Sequence, residues 1–178
     1  MEQTLPQLMN LCKKYCNMLD RAGIGYEQRN YGSQKEYWED TMRFPRAANA
    51  GQCSVTVLRI PAPNGTAHLG LQFNERNGVF EYVDLWFGAY SFELWDGGEE
   101  ELLECIRHVR SGQSWCAIRW DLDRKRWCGD AMYDLQEDPG PGKLLEALAR
   151  PKDFWERLFK KHFLHEVYDW NEYHCIER

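Results

Sequence analysis

His162, His165 and Glu166 fall at i, i+3 and i+4, with Asp169 four residues beyond His165 and His174-Cys175 shortly after. On a helix the first three share a face, and nitrogen, oxygen and sulfur donors on one face are the raw material of a divalent-metal site. The spacing is looser than H-E-x-x-H or a paired C-x-x-C. Histidines on the solvated C-terminal end of a helix account for the same residues. The expectation is therefore no metal and no cofactor.

Thiol chemistry is the next possibility. Cys105 and His108 stand three apart, and Cys12 and Cys16 four apart. A thiol beside an imidazole is a nucleophile with its base. Yet Cys12, Cys16 and Cys105 lie on or beside apolar stripes, where cysteine behaves as a small core hydrophobe. Cys53 and His68 meet only if neighbouring strands bring them together. G-x-S-x-G, the P-loop, G-x-G-x-x-G and H-E-x-x-H are all missing from the sequence, so no residue is assigned a catalytic role. Asp121 and Asp123 lack EF-hand spacing and read as hairpin-tip charges. Arg124-Lys125-Arg126, with Trp115, Trp120 and Trp127 nearby, is a short basic patch in an acidic region, so nucleic acid is an unfavoured partner.

The elements that must position these residues follow from periodicity. Leu5, Leu8, Met9, Leu11, Cys12, Tyr15, Cys16 and Leu19 recur at helical spacing over 4–22, and Gly23 ends the run. From Ile24 to Trp95 the period moves towards two, which predicts successive strands. Asn64-Gly65-Thr66 within this region reads as a turn. Gly97-Gly98 opens a second helix with Glu99, Glu100 and Glu101 in its first turn, where the helix dipole favours carboxylates. Leu102, Leu103, Ile106 and Val109 form its apolar face, and Ser111-Gly112 ends it. Residues 114–135 predict a hairpin, Trp115 to Trp120 and Arg126 to Met132, turning through 121–125. After the break at Asp138-Pro139-Gly140-Pro141-Gly142, a short helix (Leu144, Leu145, Leu148) precedes a longer one. This enters through Pro151 and carries Trp155, Leu158, Phe159, Phe163 and Trp170 as its stripe. Without regular βαβ alternation the fold class is α+β, in one globular domain over 1–178. It is a mainly antiparallel sheet of about five to seven strands, with an N-terminal helix, a central helix and C-terminal helices packed on it.

One hairpin can be set in register. A two-residue turn at Asn77-Gly78 would place Leu71 opposite Asp84 and Leu69 opposite Trp86. A three-residue loop, Arg76-Asn77-Gly78, pairs Leu71 with Val83, Leu69 with Leu85 and Ala67 with Phe87. It keeps one face apolar except at Glu81. Because a one-residue slip turns every side chain over, the longer loop is expected, with Gly78 in a left-handed bulge position. The other face then carries His68, Gln72, Asn74, Phe80, Tyr82, Asp84 and Trp86. Of these, His68, Gln72, Tyr82, Asp84 and Trp86 are the candidate ligand-binding residues, with Asp84 as a general base should the site be catalytic. The competing reading is that a helix covers this face.

The 178 residues hold 22 Lys plus Arg against 28 Asp plus Glu, a formal charge of −6, with 43% hydrophobic and 14% aromatic residues. Disorder of the whole chain is excluded, and a protein that coats phosphates or an anionic membrane is disfavoured. No stretch is apolar enough to span a membrane and no secretory signal opens the chain. Seven scattered cysteines fit reduced thiols, so a cytoplasmic location is expected. The charge is concentrated: residues 96–138 carry 6 basic and 11 acidic side chains, and the rest is near neutral. Glu99, Glu100, Glu101, Glu104, Asp121 and Asp123 are the candidate partner-binding acids, steering a basic partner protein by complementary potential. In this general character the chain is similar to bacterial immunity proteins, which neutralise a toxin by occluding its active site. That likeness implies a non-enzymatic protein-binding module whose partner is a toxin domain. The alternative is a small-molecule binder or enzyme with its pocket on the aromatic face of the sheet.

Overall fold

The apolar spacing near the N-terminus produces α1 (Thr4–Arg21), which buries Cys12, Tyr15, Met18 and Leu19. Gly23 closes it at φ +66°, as Ile24 N–H donates to Leu19 O and Gly23 N–H to Asp20 O. This is the double hydrogen bond of a left-handed helix cap. The structure, a computed structural model, describes residues 4–44, 54–76, 79–94, 98–134, 145–146 and 162–177. No helix among them is long and apolar enough to cross a membrane.

The fold is α+β, and the single sheet expected from the sequence is two antiparallel sheets. The first has five strands in sequential order: β1 (Glu27–Tyr31), β2 (Val55–Pro61), β3 (His68–Arg76), β4 (Val79–Phe87) and β5 (Tyr90–Leu94). The second follows the central helix α3 (Glu99–Arg110). It comprises β6 (Ser114–Asp121), β7 (Arg126–Asp134), β8 (Phe163–Tyr168) and β9 (Tyr173–Glu177), in the order β7-β6-β8-β9. β6 takes β7 and β8 as its two neighbours, so the first sheet ends at β5. The first sheet's core face, with Leu58, Leu69, Leu71, Phe73, Leu85 and Phe87, joins α1 and α3 in one cluster. Cys116, Ile118, Trp120, Leu164 and Tyr168 of the second sheet belong to it too.

Three expectations are corrected. A helix, α2 (Gln34–Thr41), interrupts the region read wholly as strands. Ser33 caps it, accepting from Glu36 N–H, while the Glu36 carboxylate accepts from Gly32 N–H. Ser33-Gln34-Lys35-Glu36 is the S-x-x-E signature of a helix start. The β3–β4 register differs as well: Leu71 faces Leu85, Leu69 faces Phe87 and Phe73 faces Val83. Arg76 pairs with Val79, and a bulge at Glu81 shifts the ladder by one residue. The bulge restores the apolar face that the three-residue loop was meant to secure, with Glu81 as the residue out of step. Residues 77–78, including the position expected for Gly78, lie outside the described residues.

The third correction concerns the C-terminal region. Phe163–Tyr168 is strand, not the end of a helix, and β9 follows it after a turn. All six residues of β8 are buried, and a strand buried on both faces loses the polar–apolar alternation that betrays strands in a sequence. Of the expected C-terminal helices, Leu145–Glu146 are helical. The break at 138–142 and the segment from Pro151 to Phe159 lie outside the described residues.

Tyr168 joins the sheets. Its hydroxyl donates to Phe87 O at 3.2 Å and accepts from Ala89 N–H at 3.1 Å, so a side chain of β8 closes the β4–β5 turn. The turn requires Gly88 at φ +59°, and a Cβ there would run into the Tyr168 hydroxyl. Tyr168→Phe strands the buried Ala89 N–H and should cost about 1–3 kcal/mol. Gly88→Ala combines left-handed strain with a clash and should cost about 2–4 kcal/mol. Urea unfolding midpoints check both, and a wild-type midpoint for Gly88→Ala would disprove the joint.

Candidate functional site

The part of the mixed β3–β4 face around Gly70 and Gln72 lies under α2. His68, Gln72, Asp84 and Trp86 are 5%, 2%, 7% and 6% exposed. Gln72 Nε2 donates to Gln34 Oε1 at 2.8 Å, and the Tyr37 hydroxyl stands 3.4 Å from where a Gly70 side chain would begin. Tyr82 sits opposite Asn74 on the same ladder; its side chain lies outside the described residues. The burial of these four residues accords with the helix-covered reading of this face. Burial, with the Arg59 charge second, pushes the His68 imidazole down to about 4 from its usual 6.5.

The six candidate acids do not form one patch. Glu99 accepts from Arg21 at 2.6 Å and lies 3.8 Å from Lys14, tying α3 to α1. Asp121 is buried at the base of the β6–β7 turn, where it accepts from Arg124 N–H at 2.9 Å. Arg124 and Arg126 reach within 4.0 Å and 3.8 Å of its carboxylate, so two of the three basic residues fold around their own acid. Asp123 accepts from His162 N–H at 3.3 Å. Among the described residues Glu100 meets Arg107, at 3.4 Å and in solvent, a pair of little energetic weight. Glu101 and Glu104 are exposed, with no ion pair among the described residues.

Those two glutamates edge a groove of about 510 Å³ between α3, β5 and β7. Its floor is apolar: Tyr90 and Phe92 stack edge-to-face at 4.9 Å, beside Val109 and Met132, all but Val109 half-buried. Alternation along β5 brings Tyr90 and Phe92 to one side, and the i, i+4 spacing of Cys105 and Val109 brings α3 against them. Sequence reading found the acids but not the aromatic floor, because only the β4–β5 turn carries that strand under α3.

A second concavity, of about 470 Å³, opens between the two sheets. The end of α2 and the Gly88-Ala89 turn form one side; Trp120, Glu166, Tyr168 and Tyr173 form the other. Glu166 is buried, yet Arg43, Trp120 and Tyr173 all donate to its carboxylate. Arg43 and Glu166 lie 123 residues apart, so no local pattern announces the pair.

The metal and thiol readings also meet the geometry. In β8 the strand period turns His165 and Glu166 to opposite faces. His162 pairs instead with Glu177 at 2.7 Å. Among the described residues no three His, Cys, Asp or Glu side chains gather as a metal site would require. Burial pushes the Cys12 and Cys116 thiols up to about 12 and raises Cys105 as well, the reverse of an activated nucleophile. Cys53 lies outside the described residues. Comparison of the chain with protein-family models, curated proteins and solved structures finds no match.

His68 generates a pH prediction. The folded state holds it neutral down to about 4, whereas the unfolded chain takes up the proton below about 6.5. Stability contributed by this residue is therefore present above pH 6.5 and lost progressively down to about pH 4. The loss should reach about 3 kcal/mol. Urea unfolding from pH 7.5 to pH 4.5 should show a steeper decline for wild type than for His68→Gln. Parallel profiles would mean that His68 is not held neutral.

Proposed function

We propose that this chain is a non-enzymatic protein-binding module that docks a basic partner protein on the α3 face. In the immunity-type form of this reading the partner is a toxin domain, neutralised by being covered. The observation that carries it is the groove beside α3, an apolar floor of Tyr90, Phe92, Val109 and Met132 edged by Glu101 and Glu104. Apolar anchors ringed by polar groups are the anatomy of a protein interface, and Tyr supplies contact area at low entropic cost. Rim carboxylates with no ion pair among the described residues favour Lys and Arg opposite them and speed encounter. The six described cysteines outside 45–53 are free, which suits a cytoplasmic setting for the module.

The patch that supports this reading is smaller than the six acids singled out from the sequence. Glu100, Glu101 and Glu104 face solvent, while Glu99, Asp121 and Asp123 are occupied within the fold. The test is co-expression of the chain with the products of its neighbouring genes, followed by association kinetics on the complex recovered. Glu101→Lys with Glu104→Lys should slow association about tenfold at low salt, with a smaller effect at high salt. Phe92→Ala should act mainly on dissociation. Asp123→Asn, outside the groove, should change neither rate. If no stoichiometric partner is recovered, or if charge reversal leaves association unchanged, the reading fails.

A further inference from the structure

The cleft between the sheets has Arg43 in its lining, and the bonding of that arginine is unusual. Its Nε and Nη2 both donate to Glu166 Oε1, at 3.1 Å and 2.7 Å. The Tyr173 hydroxyl donates to the same oxygen at 2.8 Å, and the Trp120 indole N–H donates to Oε2. The Glu166 side chain is 8% exposed but that of Arg43 45%. A buried acid with donors on both oxygens thus sets the position of a half-exposed arginine. Nη1 makes no hydrogen bond among the described residues.

An arginine so held is positioned without being used up. The edge formed by Nη1 and Nη2 offers two parallel N–H groups, the spacing that matches both oxygens of a carboxylate. Tyr173 and Trp120 also donate to Glu166, so the arginine is one of three donor residues on that carboxylate. The other acid in the lining, Asp40, has its Oδ2 engaged by the Tyr31 hydroxyl at 2.7 Å and Arg29 at 3.3 Å, on the β1 side. Met42, Ala67, Ile118 and Trp120 supply apolar wall. At about 470 Å³ the cavity lies within the size range of small-molecule sites.

We propose that this cleft binds a small organic carboxylate, its two oxygens on the Arg43 fork and its apolar body against Ile118 and Ala67. The site is separate from the α3 groove and stands or falls independently of it. The probe is hydrocinnamate, compared with its neutral amide and with phenethylamine, titrated into the full chain by calorimetry and by amide chemical shifts. Hydrocinnamate should bind with a dissociation constant of about 1 mM or below. The amide and the amine should bind at least about tenfold more weakly. Arg43→Lys keeps a cation beside Glu166 but lacks the fork, and should weaken hydrocinnamate about tenfold with only a small loss of melting temperature. Glu101→Lys with Glu104→Lys should leave binding unchanged. Shift changes in the wild type should centre on Thr66, Ala89 and Tyr173, a readout that needs no variant. Equal affinity for acid and amide, undiminished binding by folded Arg43→Lys, shifts centred elsewhere, or no binding at about 10 mM hydrocinnamate would each overturn the proposal.

Discussion

Strand β8 is where the two sheets become one molecule. Tyr168 reaches across to complete the β4–β5 turn, and two residues earlier Glu166 gathers Arg43, Trp120 and Tyr173. Both side chains point to the same face of the strand, as a period of two demands. An ionised carboxylate out of water costs several kcal/mol unless its oxygens are matched by donors and its charge by a cation. Here Glu166 has both, so the cost of burial becomes a constraint: the C-terminal end of α2, β6 and β9 must all arrive at one carboxylate. Tyr168 adds the same kind of demand on β4 and β5, because an unpaired amide at Ala89 would be as unwelcome as an unpaired phenol.

From that joint follows the shape of the acidic surface. With β5 fixed as the last strand of the first sheet, α3 packs Leu102, Leu103, Ile106 and Val109 into the shared core. Its remaining face turns outward with Glu100, Glu101 and Glu104. The charge excess of residues 96–138 then divides by environment. Acids with a cation or a backbone N–H to hold, Glu99, Asp121 and Asp123, serve as internal ties. The solvent-exposed Glu100, and Glu101 and Glu104, which have no ion pair among the described residues, remain available to another molecule. Composition could locate the excess along the chain, but only packing could say which carboxylates are already spoken for.

Local signals were legible where one segment carries them whole. α1 with its glycine stop, α3 with its acidic first turn, and the β6–β7 hairpin were all readable from spacing. The apolar face shared by β3 and β4 was readable too, although a bulge at Glu81 and not a longer loop preserves it. What failed depends on distant partners. Phe163–Tyr168 shows no alternation because β6, β9 and the core wrap it completely, so the helical spacing of His162 with His165 and Glu166 suggested the wrong element. α2 was announced by Ser33 and Glu36, but its eight residues were too few to stand out among strands. The cleft could not be seen at all, since it needs Arg43 and Glu166 from opposite ends of the chain.

The carboxylates Glu166 and Glu104 are chemically identical and differ in what surrounds them. Around Glu104 water is the solvent, long-range charge is screened over about 8 Å at physiological salt, and the group acts by steering. Around Glu166 the solvent is protein: two arginine N–H groups, a phenol and an indole fix its orientation, and the acid acts by holding Arg43 still. Sealing both members away from water would add the arginine's desolvation cost to that of the acid. Instead, the acid is enclosed and the base is left half in the open, with one nitrogen unbonded among the described residues. That asymmetry leaves the guanidinium edge within reach of a ligand oxygen, as the proposed carboxylate site requires.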